Sequence, residues 1–300
     1  MKHIIPKSPI PESKAFVIRE IHAPFFDPTF HLHPEFQLSY VVKGEGTRFV
    51  GDDIKSFRAG DLVLTGPYLP HVWRNDDKYF DRRSELSTTV IVVYFRDYFL
   101  GEALQQKEEM ANISRLFKKS ERGLEITGET KQTIFRMMRQ LLNLTGMDSI
   151  ILLLKILNIL AKSNECHLIA HNHLVSSNTE AETSRMNKVY GYTMKNFRQK
   201  ISLYSVADVV NMTRTSFSRY FKTRVNKSFS DFLKEIRIEH ACKLLRAEKM
   251  NISDIGYESG FQTLSNFNIQ FKRVMGKTPH SYRSEYLKVH SESYNDAISA

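Results

Sequence analysis

Met212-Thr213-Arg214-Thr215-Ser216-Phe217-Ser218-Arg219-Tyr220-Phe221-Lys222 and Gln262-Thr263-Leu264-Ser265-Asn266-Phe267-Asn268-Ile269-Gln270-Phe271-Lys272 decide how this chain is read. Phe217 falls on Phe267, Phe221 on Phe271 and Lys222 on Lys272, each fifty positions on, so the chain contains an internal repeat. Phenylalanines four apart stack on one face of a helix and pin that face to a bundle. The residues between them are short, polar or basic, and they point away from the bundle.

Working outward, a shorter apolar segment precedes each copy, near Val206-Ala207-Asp208-Val209 and near Ile255-Gly256-Tyr257. The small residue in each, Ala207 or Gly256, admits close approach of a second helix. A short helix, a turn and a second helix form a helix-turn-helix, whose second helix enters the DNA major groove. Between the copies, Ser228 and Asp231 fit a capping box, and Phe229, Phe232, Leu233, Ile236 and Leu244 follow at helical spacing. Thr278-Pro279 sets a cap and a first-turn proline for a closing helix. The outward candidates for DNA are Arg214, Thr215, Ser218, Arg219 and Lys222 in the first copy, and Ser265, Asn268, Gln270, Lys272 and Arg273 in the second. Arg214 and Arg219 suit guanine, Thr215 and Ser218 suit shorter base contacts, and Lys222, Lys272 and Arg273 suit phosphates. Ile269 offers only apolar contact, for example to a thymine methyl.

Ser216-Phe217-Ser218-Arg219-Tyr220-Phe221-Lys222, Arg237-Ile238 with Ala241 and Leu244-Leu245, Ile252-Ser253-Asp254-Ile255-Gly256, Gly260-Phe261, Ser265-Asn266-Phe267, Phe271-Lys272 and Gly276-Lys277-Thr278-Pro279 form a combined pattern. That pattern resembles the DNA-binding domain of AraC/XylS-type bacterial transcription regulators. The resemblance covers a third of the chain and implies an all-α domain with two helix-turn-helix units. It also implies double-stranded promoter DNA as partner, with RNA polymerase as a possible second one. The family often has a basic residue where this chain has Ile269, so the second unit departs from the pattern.

Charge is distributed to match. Residues 180–290 hold 20 Lys+Arg against 10 Asp+Glu, whereas residues 1–179 hold 23 against 21. The cationic excess thus sits where phosphates would attract it. Two cysteines, Cys166 and Cys242, are too few for a disulfide framework and fit a reducing cytoplasm. Pro6, Pro9 and Pro11 lie in an N-terminus without the apolar run of a signal peptide. The longest apolar run, Ile150 to Ala161, is interrupted by Lys155 and Asn158 and is too short to cross a bilayer.

Three hundred residues suggest about two domains. Residues 1–15 are expected to form a mobile arm. Residues 16 to 96 read as short strands with Gly and Asp turns: Phe36 to Val42, a return strand Thr47 to Val50 after Lys43-Gly44-Glu45-Gly46, then Leu62-Val63-Leu64, and Val90 to Phe95. Within them, His31-Leu32-His33, Gln37, Gly44 and Pro70-His71 resemble the two signatures of the cupin β-barrel. In metal-binding cupins the first signature supplies two histidines and a carboxylate and the second a third histidine. Period two places His31, His33 and position 37 on one strand face. Position 37 is a neutral glutamine, a weaker ligand than glutamate, so no metal and no other cofactor is assigned. His31, His33, Gln37, Arg48, His71 and Trp73 are candidates for binding a small polar effector such as a sugar, with Trp73 stacking on its face. Satisfied structural histidines, a metal held by the histidines, a core Trp73 and a surface Arg48 are the alternatives.

Residues 97 to 165 turn helical, with Ile134, Met137, Met138, Leu141 and Leu142, then Ile150, Leu153, Leu154 and Leu157 at spacings of three and four. The last helix is apolar all round, so one side is expected to meet the barrel and the other a second subunit, a purely intramolecular cover being the alternative. The fold class expected is α+β: a cupin-like N-terminal β-barrel with a helical hairpin over 1–165, a linker over 166–184, most polar from His171 to Ser184, and an all-α domain with two helix-turn-helix units over 185–290. The function expected is a sequence-specific, effector-responsive, homodimeric transcription regulator with no catalytic residues. A cupin metalloenzyme with a helical appendage, or a constitutive DNA-binding protein whose barrel only dimerises, are the competing readings.

Overall fold

The computed structural model describes residues 9–171, 180–247 and 249–287. Residues 1–8 of the expected arm, most of the polar linker and residues 288–300 lie outside these. The chain divides into two compact units, Met1–Thr183 and Ser184–Ala300.

The first unit contains β1 (Phe16–Ala23), β2 (Phe36–Lys43), β3 (Gly46–Val50), β4 (Asp53–Phe57), β5 (Leu62–Thr65), β6 (His71–Asn75) and β7 (Thr88–Phe95). There follow α1 (Glu102–Gln105), α2 (Ala111–Ser120), β8 (Leu124–Ile126), α3 (Gly128–Leu141), α4 (Gly146–Lys162) and β9 (Cys166–Leu168). One antiparallel sheet has the order β1-β7-β2-β5-β8-β9 and a second has β4-β3-β6. Alternation along β2 and β5 explains why both strands are buried on two faces. Leu38, Tyr40, Leu62 and Leu64 join the helices in one core, with Ile134, Met138, Leu153, Ile156 and Leu157. On the other side, Val41 and Val63 meet Val50, Phe57 and Trp73 of the small sheet. The residues that share that inner face with Val41, among them Gln37 and Ser39, therefore look into the space between the sheets.

Three expectations need correction. Thr47 to Val50 is not the return strand of Phe36 to Val42: β2 pairs with β5 and β7, while β3 pairs with β4 and β6. The Gly44–Gly46 corner instead carries the chain from one sheet to the other. Gly44 adopts φ +126, and a Cβ on Gly46 would collide with the Arg74 carbonyl of the neighbouring strand, so both positions require glycine. Second, the stretch after residue 97 is not purely helical. Leu124–Ile126 adds a strand beside β5, with Val63 opposite Glu125. Third, the linker does not begin at 166. Cys166–Leu168 pairs with β8, and the Ile169 and Ala170 amides donate to Gly123 and Arg122 carbonyls at 3.0 and 2.8 Å. Three residues are too few for a visible period-two signal, which is why β8 and β9 escaped pattern reading.

The second unit is helical: α5 (Glu180–Asn196), α6 (Leu203–Asp208), α7 (Arg214–Val225), α8 (Phe229–Ala247), α9 (Ile252–Glu258), α10 (Leu264–Met275) and a closing helix over 279–287. Ser228 caps α8 by accepting from the Asp231 amide at 3.1 Å, and Thr278 caps the closing helix by accepting from the Ser281 amide at 3.2 Å. The long α8 serves both halves. Its Phe229 and Phe232 rings stand 5.4 and 5.3 Å from Phe221 of α7. Its Ile238, Ala241, Cys242 and Leu245 pack with Ile255, Phe267 and Phe271 of α9 and α10. Of the described residues, no helix is long and apolar enough to cross a membrane.

Candidate DNA-binding face and sensor site

The two repeats are built alike at their ends. Thr213 caps α7 by accepting from the Ser216 amide at 3.2 Å, and Thr263 caps α10 from the Asn266 amide at 3.2 Å. Both helices stop on a left-handed residue, Asn226 at φ 55 and Gly276 at φ 73. Before them, Ser202 caps α6 and Asn251 caps α9, accepting from Ser205 and Asp254 amides at 2.9 and 2.8 Å. The turns also correspond: Asn211 at φ 54 and Gly260 at φ 87 each let the next amide return to the preceding helix, Met212 to Ala207 and Phe261 to Gly256. The first helices and turns are offset by 49 and the second helices by 50, because one more residue separates Gly260 from Thr263 than Asn211 from Thr213. A Cβ on Gly256 would lie 2.9 Å from Phe267 Cδ1, so this glycine sets how closely α9 lies on α10.

Phe217, Phe221, Phe267 and Phe271 are wholly buried, with ring centroids 5.6 Å apart within each pair. The opposite faces are open. Arg214, Thr215, Ser218, Arg219 and Lys222 are exposed, as are Ser265, Asn268, Lys272 and Arg273. Arg214 and Arg219 make no ion pair among the described residues, which leaves their guanidiniums available. Gln270 differs from its companions. It is half-buried and its amide nitrogen donates to Asn266 Oδ1 at 3.4 Å. Asn266, exposed beside it, is a polar group that stands outside the DNA candidates of the second copy; its place one step before Phe267 is the signal that marks it. Ile269 stands 61% exposed in the middle of α10.

In the first unit the sequence-predicted effector residues separate into two groups. His31, His33, Gln37 and His71 converge. His31 and His33 do not share a strand with Gln37, because β2 begins only at Phe36 and Pro34 intervenes; a two-way backbone bridge between His31 and His71, at 3.1 and 2.9 Å, brings them in instead. Imidazole centroids lie 4.6 Å apart for His31 and His71, and 5.1 Å for His33 and His71. His33 Nε2 and His71 Nε2 stand 3.0 and 3.3 Å from Gln37 Oε1, and the Gln37 amide nitrogen donates to Ser39 Oγ at 2.7 Å. The Tyr94 ring closes the site edge-on to His33 at 5.4 Å. Burial, reinforced by the neighbouring imidazoles, pushes His71 well below the usual histidine range, and burial likewise lowers His33. One nitrogen from each of His31, His33 and His71 lies within 4.8 Å of the others, so the donor set fits a transition-metal ion despite the neutral Gln37.

Arg48 lies apart from the histidines, while the Trp73 ring stands edge-on to His71 at 5.8 Å. Arg48 is not a surface residue: it is wholly buried, with one guanidinium nitrogen 2.6 Å from Asp61 and another 3.1 Å from Glu125. Burial alone would lower its pKa; Asp61, Glu125 and Asp53 more than offset that and hold it above its ordinary value. Trp73 donates its indole N–H to the other Asp61 oxygen at 3.1 Å and packs with Val41, Val50 and Phe57. Both side chains are buried in the first unit, and each bonds an Asp61 oxygen.

A family model described as a helix-turn-helix domain matches residues 206–285. The Msm operon regulatory protein of Streptococcus mutans is 21% identical over 87% of each chain. The uncharacterized HTH-type transcriptional regulator YdeC of Bacillus subtilis is 28% identical over 34% of this chain, and the match spans only 35% of that protein's length. Among solved structures, an AraC-type transcriptional regulator from Chromobacterium violaceum aligns at 21% identity and TM-score 0.34 over 36% of this chain and 96% of its own. ToxT of Vibrio cholerae aligns at 14% identity and TM-score 0.34 over 89% and 94%. The matched segment takes in most of both repeats, so this chain carries a helix-turn-helix domain in its C-terminal unit.

Proposed function

We propose that the chain is a sequence-specific DNA-binding transcription regulator whose N-terminal unit responds to a small molecule. The observation that carries this reading is the pair of helices each started by a threonine cap, buried through two phenylalanines and open on a basic and polar face. The α7 and α10 helices enter major-groove segments about one turn, ~34 Å, apart. Arg214 and Arg219 read guanine edges, Thr215, Ser218, Ser265 and Asn268 make shorter contacts, and Lys222, Lys272 and Arg273 hold phosphates. Gln270, already bonded to Asn266, positions that side chain rather than reaching DNA itself.

The N-terminal unit acts as sensor and as dimerisation element, in the cytoplasm where promoter DNA and RNA polymerase are met. Support for a homodimer comes from α4, whose outer side exposes Met147 and Ile151 at 67% and 43% while its inner side is buried. The effector binds one arrangement of the dimer better than another and so shifts promoter occupancy. Gel retardation of the region upstream of its own gene tests the proposal. Salt-sensitive, sequence-dependent retardation that changes with effector is expected; retardation equal on scrambled DNA of the same length overturns it.

A further inference from the structure

We infer that Arg237, in the middle of α8, is a positioning residue: it ties the lead-in of the first helix-turn-helix to the turn of the second, and so sets the half-site spacing that the domain accepts on DNA. The inference rests on the DNA-binding reading above.

The Arg237 guanidinium stands where three segments meet. Its Nε donates to the Phe197 carbonyl at 2.8 Å, and a terminal nitrogen donates to the Gln199 carbonyl at 2.7 Å. Those carbonyls belong to the chain just past α5, and Ser202, the cap of α6, follows three residues after Gln199. The turn between α9 and α10 comes in from the other side. The centre of the Phe261 ring lies 6.0 Å from the guanidinium carbon. A Cβ on Gly260 would stand 2.5 Å from the Phe197 carbonyl oxygen and 2.9 Å from Arg237 Nε, so the turn of the second helix-turn-helix meets the lead-in of the first backbone to backbone. Arg198 adds an exposed ion pair to Glu258, the last residue of α9, at 3.0 Å.

Along α8 itself the two halves are held by apolar faces. Phe229 and Phe232 hold α7, while Ile238, Ala241, Cys242 and Leu245 hold α9 and α10. Apolar packing is non-directional and tolerates a small turn of one half about the α8 axis. A guanidinium fork on two carbonyls resists that turn, because its bonds have a required direction. Since α7 and α10 enter successive major-groove segments, any turn about α8 changes where the second helix meets DNA relative to the first.

The probe is a duplex selected by the parent chain from a random pool, remade with one base pair added or removed between its half-sites. Each change moves the second half-site by ~3.4 Å and ~35°. In anisotropy titrations of the full chain, the parent should lose about tenfold or more in affinity on either altered duplex. Arg237→Gln should bind the selected duplex about threefold more weakly, and lose less than about threefold further on the altered ones, because a softened brace is less preorganised. Arg237→Lys, which keeps the charge but offers its donors from a single point, should fall between the two and decides the matter if Arg237→Gln does not fold. Gly260→Ala drives a methyl into the Phe197 carbonyl and should flatten the spacing profile in the same way. A loss shared in proportion by all three duplexes makes Arg237 structural only and overturns the inference, as does a parent indifferent to spacing. A parent that does not prefer its selected duplex to scrambled DNA overturns the DNA-binding reading instead.

Discussion

Arg48 and Asp61 are joined at 2.6 Å between the two sheets of the N-terminal unit, where the arginine has no exposure at all. The second Asp61 oxygen takes the Trp73 indole N–H at 3.1 Å, so one carboxylate satisfies two buried donors from β3 and β6. Removing it leaves the buried guanidinium with Glu125 alone and the Trp73 N–H without its acceptor. Asp61→Ala should destabilise the unit by about 3–5 kcal/mol, the range for breaking a buried pair from one side. Breaking the exposed Lys78–Glu45 pair by Glu45→Ala should cost under about 1 kcal/mol. Trp73 is the only tryptophan, so urea unfolding followed by its fluorescence reports this unit alone.

Glu125 offers a pH test of the same network. Burial would raise its carboxyl, but Arg48 and Lys55 overcome that and hold it below 4.5. A carboxylate with a depressed folded pKa contributes stability above its unfolded value and loses it as pH falls through the folded one. Glu125→Gln should therefore lower the urea midpoint at neutral pH and show a shallower loss on acidification below about pH 4.5 than the parent chain. Parallel acid profiles for parent and variant would remove Glu125 from the pH response.

How much of this was visible beforehand depends on the kind of signal. The Phe217/Phe267 repeat was legible because a helix face repeats over many residues, and the structure adds only the matched caps and the extra residue before Thr263. The histidines were legible as a group but not as a geometry: a backbone bridge from His31 to His71, rather than strand period, assembles them. Arg48 is buried where a surface position was expected, because a strand arginine carries no mark of whether Asp61, just before β5, and Glu125 of β8 will close over it. Those acids are distant in sequence, at positions 61 and 125, and only the sheet order brings them together.

Gly256 should be the most sensitive single position of the second repeat. Any side chain there presses on Phe267, whose ring is fully buried against α8 and α9 and has little room to yield. Gly256→Val should cost about 1–3 kcal/mol by overpacking, despite the removal of a helical glycine. Melting followed by circular dichroism should show the loss, and operator affinity should fall with it, since α10 is displaced. Ala207, the matching position, already accommodates a methyl, so Ala207→Gly should be felt mainly as lost helix propensity, about 1 kcal/mol.

Arg219 and Lys222 should separate base reading from phosphate holding. Both are exposed on α7, three positions apart. Arg219→Ala should cost about 1–3 kcal/mol on the specific site and relax preference at one base pair, with an unchanged melting temperature. Lys222→Ala should weaken specific and random DNA alike and reduce the slope of log affinity against log salt by about 0.9. Fluorescence anisotropy titrations at several salt concentrations distinguish the two behaviours, and an Arg219→Ala variant with full specificity would remove that residue from base recognition.

Ile269 should read a methyl group. A large apolar side chain left 61% exposed at the centre of α10, between Asn268 and Gln270, gains nothing from the folded chain and would gain on burial against DNA. In the major groove the one apolar feature of a base edge is the thymine C5 methyl. Replacing thymine by uracil in the second half-site removes that methyl and leaves every hydrogen-bonding group in place. Parent protein should lose about 0.8 kcal/mol, close to fourfold in affinity, at the contacted position. Ile269→Ala should bind the thymine and uracil sites equally, and both about as weakly as the parent binds uracil. If thymine-to-uracil replacement at each position of that half-site leaves parent affinity unchanged, Ile269 does not lie against a thymine, and the second unit orients the protein through Lys272 and Arg273 rather than reading sequence.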